Sequence, residues 1–94
     1  MTNSARHYGL PADTVLQLGD GEAVLLKLSD ENMFALNDTG AEIVRRLTDG
    51  LALGALIDDL ARTYQVPAAD VARDVESLVA DLLQRGLLIE REGG

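Results

Sequence analysis

Side chains able to do chemistry are sparse in this chain and widely spaced. Catalysis needs convergent groups with tuned proton affinities. The one histidine, His7, stands in an N-terminal stretch without periodicity, and the one lysine, Lys27, falls inside an apolar run. Asp58 and Asp59 are adjacent, but neighbours on a helix point about 100° apart, so the pair reads as solvated surface and not as an acid–base dyad. Asp30-Glu31-Asn32 lacks the spacing of a calcium loop. No glycine-rich loop leads into a lysine-bearing helix to cradle phosphate. There is no cysteine, hence no thiolate zinc site, no thiol nucleophile and no disulfide framework. The expectation is a protein without catalytic residues, cofactor or metal, whose work is binding.

Composition narrows what it can bind. A chain of 94 residues makes one domain with one modest core. Its net charge of -8 repels phosphate backbones and anionic lipid heads. Tyr8, Phe34 and Tyr64 are the only aromatics, too few to make a base-stacking platform. No run approaches the ~18 apolar residues of a membrane span, and no apolar stretch follows the basic residues near Met1, as a secretory signal requires. Together with the absence of cysteine, which fits a reducing compartment, this gives the expectation of a cytoplasmic protein that binds neither nucleic acid nor membrane.

The elements follow from periodicity. Residues 1–12 read as a flexible arm ending at Pro11. Val15 to Leu18, Ala23 to Leu28 and Met33 to Leu36 are short apolar runs separated by Gly19-Asp20-Gly21 and Ser29-Asp30-Glu31-Asn32. Tight turns between short runs predict an antiparallel meander, the second run being buried on both faces. The period then changes to about 3.6. Thr39 and Glu42 fit a capping box opening a helix over 39–48, stopped by Asp49-Gly50. Leu53, Leu56, Ile57, Leu60, Ala61 and Tyr64 form one face of a second helix over 52–64. After Pro67 a third helix is expected over 68–85, with Asp70 in its first turn, Arg85 in its last and Gly86 as C-cap. Leu87-Leu88-Ile89 forms a short strand or a plug on the core. The folded domain is thus expected over 13–90, with residues 91–94 frayed.

Two functions invited by such an outline meet objections. A carrier protein needs a serine at a helix N-terminus to hold its prosthetic arm, whereas Ser77 falls in mid-helix. A winged-helix DNA binder would use the third helix for recognition, yet that helix carries Asp70, Asp74, Glu76 and Asp81 against Arg73 and Arg85, the wrong sign for approaching phosphates.

Phe34-Ala35-Leu36-Asn37-Asp38-Thr39-Gly40-Ala41, then Ile43, Leu47, Asp49-Gly50, Leu60, Tyr64, Val66, Val71, Asp74-Val75, Leu78, Leu82 and Gly86-Leu87-Leu88 resemble the PqqD-like family, also called the RiPP recognition element. The resemblance covers Val15 to Ile89, nearly all of the expected fold. Its most specific parts are the Leu-Asn-x-Thr-Gly-Ala run and the later Asp-Gly. Ala52 departs from it, because the family often has Ser or Thr there to cap the second helix. The resemblance implies an α+β, winged-helix-like fold: a three-stranded antiparallel sheet followed by three helices. It also implies a role, which is holding the leader segment of a ribosomally made precursor peptide and presenting it to a modifying enzyme or leader peptidase of the same pathway. The family serves both pyrroloquinoline quinone and lasso peptide biosynthesis, and no residue here chooses between them.

A physical logic stands beside that resemblance. An edge strand offers unpaired N–H and C=O groups to which an extended peptide can add. The strand of Met33, Phe34, Ala35 and Leu36 is the edge the family uses. Phe34 and Leu36 face one side of the sheet, Met33 and Ala35 the other. On the third helix Leu78, Val71, Leu82, Val75, Val79 and Leu83 span about 140°, more than the ~100° a core-facing stripe needs. The surplus leaves apolar surface for a partner; the margin with Asp74 and Leu78 is expected to line the groove with Val71 and Val75, and the opposite margin, where Glu76 borders Leu83, stays open. The other reading is a generic protein-interaction winged-helix domain. A free edge also pairs with a second copy, so monomer and dimer both stay open.

Overall fold

A computed structural model describes residues 6–19 and 22–91 of the chain. Strands β1 (His7–Gly9), β2 (Thr14–Gly19), β3 (Glu22–Lys27) and β4 (Asn32–Leu36) precede helices α1 (Asp38–Thr48), α2 (Leu53–Tyr64) and α3 (Ala68–Gln84), and β5 (Ile89–Arg91) closes the fold. β2, β3 and β4 form an antiparallel sheet in that order, followed by three helices as the sequence implied. Cross-strand rows Leu16–Leu25–Phe34 and Leu18–Ala23–Leu36 lie on the helix-facing side. Ala23 and Leu25 are buried while Val24 and Leu26 are only half-buried. β3 is therefore covered on one face, not on both as its apolar run suggested. Asp20 and Gly21 of the expected first turn lie outside the described residues.

The helices pack over that face. Val44, Leu47, Leu56, Val75 and Leu82 are all at most 1% exposed, and each such side chain contributes roughly 1.5–3 kcal/mol by leaving water. α1 and α3 both end in a left-handed glycine. Gly50 and Gly86 take φ of 108° and 74°, the next residue donates back (Leu51 to Arg46, Leu87 to Leu82), and the last carbonyls are satisfied. α1 starts one residue earlier than predicted. Its N-cap is Asn37, whose side chain accepts from the Gly40 N–H at 2.7 Å, so the Thr39–Glu42 capping box does not form. Glu42 instead accepts from Arg45 and Arg46.

The N-terminal segment differs from expectation as well. His7–Gly9 is no flexible arm but pairs antiparallel with Ile89–Arg91, with Tyr8 only 4% exposed. A Cβ on Gly9 would overlap the far end of the Arg91 side chain, which would have to swing aside. Just before β1, the Arg6 carbonyl accepts the Leu53 N–H at 2.9 Å. That bond satisfies one orphan donor of α2, whose N-cap Ala52 offers no side-chain acceptor. Arg91 belongs to β5, so the expected fray does not begin there; residues 1–5 and 92–94 lie outside the described part.

Candidate functional site

β4 is the end strand of its sheet, and along its outer edge alternate backbone N–H and C=O groups have no strand partner among the described residues. Asn37 at its end turns the chain into α1, and Gly40 is packed under that turn: an added Cβ would stand 3.2 Å from the Asn37 side-chain oxygen and 3.4 Å from Leu36. The Leu-Asn-x-Thr-Gly-Ala run is thus a strand-to-helix joint in which Leu36 anchors, Asn37 caps and Gly40 gives room.

Between this joint and α3 lies a groove of about 480 Å³, lined by Phe34, Ala35, Leu36, Asn37, Thr39, Gly40, Ile43, Asp74 and Leu78. A second, more apolar hollow of about 190 Å³ continues from it, sharing Thr39, Ile43 and Asp74 and reaching Tyr64, Val66 and Val71. Asp74 stands at the junction, an exposed carboxylate on a largely apolar path. The groove is braced near the C-terminal end of α3. The Arg85 guanidinium lies over the Phe34 ring, 4.9 Å from its centroid, while its Nε donates to Asp81 at 2.9 Å. Lys27 Nζ donates to the Gly86 carbonyl at 3.0 Å and pairs with Asp13. The Asp13 carboxyl is held below its ordinary range mainly by the Ser29 hydroxyl, with Lys27 adding to the effect.

Of the residues expected from sequence, Phe34, Ala35, Leu36, Asp74 and Leu78 meet in the groove, and Val71 and Val75 line the hollow beyond it. Val75 is 1% exposed and serves chiefly as core, while Val71 and Leu78 sit half-buried at the margin of the α3 stripe. The Met33 side chain is not brought in; it is 68% exposed on the opposite face of the sheet. Asn37, Thr39, Gly40, Ile43, Tyr64 and Val66 complete the walls without having been singled out as lining. Tyr64 and Val66 are 56% and 41% exposed, although the helical pattern assigned Tyr64 to the core face. Elsewhere, Asp59 is not merely solvated, since it pairs with Arg46 across α1 and α2, whereas Asp58 is exposed. Ser77 is exposed in the middle of α3. No helix is long and apolar enough to cross a membrane among the described residues.

A helix-backed three-stranded sheet, with a groove beside a free strand edge, defines a winged-helix-like α+β domain shaped to take an extended chain. The chain belongs to the PqqD family, described as Coenzyme PQQ synthesis protein D, which matches residues 22–88. It is similar to proteins named PqqA binding protein from Rhodopseudomonas palustris. One from strain BisB5 is 27% identical over 94% of this chain and 86% of its own. One from strain CGA009 is 30% identical over 86% and 79%. Among solved structures it is similar to a lasso peptide synthetase B1 complexed with the leader peptide, with TM-score 0.83, 31% identity and coverage of 88% of this chain and 98% of that one. A second, TbiB1 in complex with the TbiA(beta) leader peptide, has TM-score 0.79 and 28% identity over 85% and 93% of the two chains.

Proposed function

We propose that this protein binds the leader segment of a ribosomally synthesised precursor peptide and presents it to a modifying enzyme or leader peptidase, taking no catalytic part itself. The observation that carries this reading is the groove between the β4 edge and α3, in a fold shared with proteins solved with a leader peptide. The leader adds as a strand beside β4. Its backbone bonds supply affinity, and its inward side chains settle against Phe34, Leu36 and Leu78. An apolar anchor enters the hollow by Val71 and Val66, and Asp74 pairs with a basic or hydrogen-bond-donating leader residue.

The acidic character of α3 supports a peptide over nucleic acid. Its two arginines are already engaged, Arg73 with Asp70 and Arg85 with Asp81, which leaves little free positive charge to meet phosphates. A clasp of this size buries about 1,200 Å² or less, and part of the gain offsets ordering of the leader, so the affinity rests on one or two apolar anchors.

The test is a fluorescence anisotropy titration with leader peptides encoded beside this protein's gene, with a scrambled leader and a DNA duplex as controls. Saturable binding of one leader alone is the expected result. A folded protein that ignores every leader would sink the reading and leave a general protein-interaction domain.

A further inference from the structure

Lys27, the one lysine of the chain, is a cation at the end of an otherwise apolar strand, and it is not among the residues that line the groove. Its side chain is only 19% exposed. Alternation along β3 turns it to the helix side with Ala23 and Leu25. There Nζ donates to the Gly86 carbonyl at 3.0 Å, one residue beyond the Arg85 C-cap of α3, where the helix dipole is negative. The Asp13 carboxylate lies 3.4 Å from the same Nζ and accepts the Ser29 hydroxyl at 2.6 Å. The Asp13 backbone is tied down too, since its carbonyl accepts the Leu28 N–H at 2.7 Å. A fixed carboxylate therefore aims the ammonium at the end of α3.

The two ends of α3 are held differently. The helix packs chiefly on α2, and the groove separates its middle from β4. At the C-terminal end two successive residues are joined to two strands, Arg85 to Phe34 of β4 and Gly86 to Lys27 of β3. At the N-terminal end Pro67 offers no side-chain cap, and Arg73 pairs with Asp70 of the same helix. No hydrogen bond or ion pair joins that end to the sheet among the described residues. Leu78 and Asp74, the α3 side chains in the groove, stand 8 and 12 residues before Gly86 (86 minus 78 and 86 minus 74). At 1.5 Å per residue that is about 12 and 18 Å along the axis, so a tilt of about 5° at the Gly86 end moves them by about 1 and 1.6 Å. Slack at the C-terminal end is enlarged where a peptide would lie.

We infer that Lys27 is a positioning residue for the bound peptide: it pins the C-terminal end of α3 to the sheet and so sets the width of the groove before the peptide arrives. This inference rests on the leader-binding reading. Without the pin α3 samples a range of tilts, and binding must first narrow that range. Affinity then falls although every residue that touches the leader is intact.

The test separates position from stability. The chain has no cysteine, so nitroxides go on Gln17→Cys in β2 and Ala69→Cys near the start of α3, both exposed positions. Pulsed electron paramagnetic resonance measures the distance between them with and without leader, in the parent, in Lys27→Met and in Asp13→Asn. Anisotropy gives leader affinity for the unlabelled chains. Leu53→Val, a core change on α2 away from the groove, shows what lost stability does alone. The expected result for leader-free Lys27→Met is a distance distribution at least twice as broad as the parent's, narrowing when leader saturates. Its leader affinity falls five- to twentyfold, while Leu53→Val stays within twofold of the parent in both readouts. Lys27→Met with the parent's width and an affinity within twofold overturns the inference. So does a Leu53→Val variant that loses as much affinity as Lys27→Met, because general loosening is then the cause. A parent that binds no leader strikes the underlying reading instead, and the leader-free distances still decide whether Lys27 pins the helix. Should Lys27→Met not fold, Asp13→Asn decides by the same two readouts. It keeps the bond to Gly86 but loses the aiming carboxylate, and about a threefold loss of affinity is expected.

Discussion

Arg85 and Phe34 are stacked across the mouth of the groove, guanidinium over ring at 4.9 Å, although they come from elements 51 positions apart in sequence (85 minus 34). Asp81, one turn earlier on α3, holds the guanidinium from behind. The contact fixes how far α3 stands from β4 at one end and orients the aromatic ring a bound strand would meet. Arg85→Met keeps the stem but removes the cation. It is expected to cost about 0.5–1 kcal/mol in urea unfolding, the usual worth of an exposed cation–π contact, and to weaken leader binding by less than tenfold. An unchanged unfolding midpoint would show that the stack holds nothing.

Leu78 tests the groove more severely. It is half-buried at the rim of the α3 stripe and lines the wall opposite β4. Leu78→Glu is expected to lower leader affinity more than tenfold, because it places a second carboxylate one turn from Asp74, while circular dichroism still reports a folded protein. Retained affinity would move the peptide to another surface; an unfolded variant would assign Leu78 to the core.

Asn37 couples fold and site. Its side chain caps α1 through Gly40 and also lines the groove. Asn37→Ala is expected to lose about 0.5–2 kcal/mol of stability, the ordinary worth of an N-cap, and to weaken leader binding alongside. Asn37→Asp restores the cap and recovers the stability, so a thermal melt of the two variants separates the cap from side-chain volume.

The weak start of α2 offers a gain. Ala52 occupies the N-cap with extended backbone and no side-chain acceptor, and the Arg6 carbonyl serves only the Leu53 N–H. Ala52→Ser supplies an oxygen for an N–H one or two residues further on and is expected to raise unfolding stability by about 0.5–2 kcal/mol. Leader affinity is unchanged, since residue 52 is remote from the groove.

Acid acts through Glu42. Hydrogen bonds from Arg45, then Arg46, hold its carboxyl below the ordinary 4.5. A depressed folded-state value means that the unfolded chain binds the proton first. The contribution is therefore complete above pH 4.5 and is lost as pH falls through the lower folded value. Because Arg46 also reaches Asp59 on α2, the loss loosens the α1–α2 contact. Glu42→Gln is expected to lower the plateau near neutrality while leaving the acid end little changed, and so to flatten the acid limb of a stability-against-pH curve. An unchanged acid limb would mean that the pairing is too solvated to matter.

What was legible in the sequence divides along physical lines. The meander and the three helices were, since short apolar runs between tight turns mark β2 to β4, and period 3.6 afterwards reports which side of each helix meets the core. The start of α1 was not, because Asn37, Asp38 and Thr39 are all good caps and only the backbone decides among them. The strand His7–Gly9 was invisible, being too short for periodicity and paired with residues nearly the whole chain away; the tail Leu87-Leu88-Ile89, read as a strand or a core plug, is both, with Leu87 and Leu88 buried and Ile89 opening β5. In the groove, the surplus width of the α3 stripe pointed to Asp74 and Leu78, and alternation along β4 pointed to Phe34 and Leu36. Thr39 and Ile43 enter only through the angle at which α1 leaves the sheet. Tyr64 is turned outward because α2 ends there, with left-handed Gln65 at φ 57° redirecting the chain.

The pairing of β1 with β5 has a mechanical consequence. His7 faces Arg91 and Gly9 faces Ile89, so tension applied at residues 6 and 91 loads the same end of an antiparallel pair. Such a pair unzips one hydrogen bond at a time instead of shearing all of them together. A pull at those two points would peel the strap at low force and free the Arg6 carbonyl from α2, while the meander and its edge strand, which lie off the line of load, keep their register.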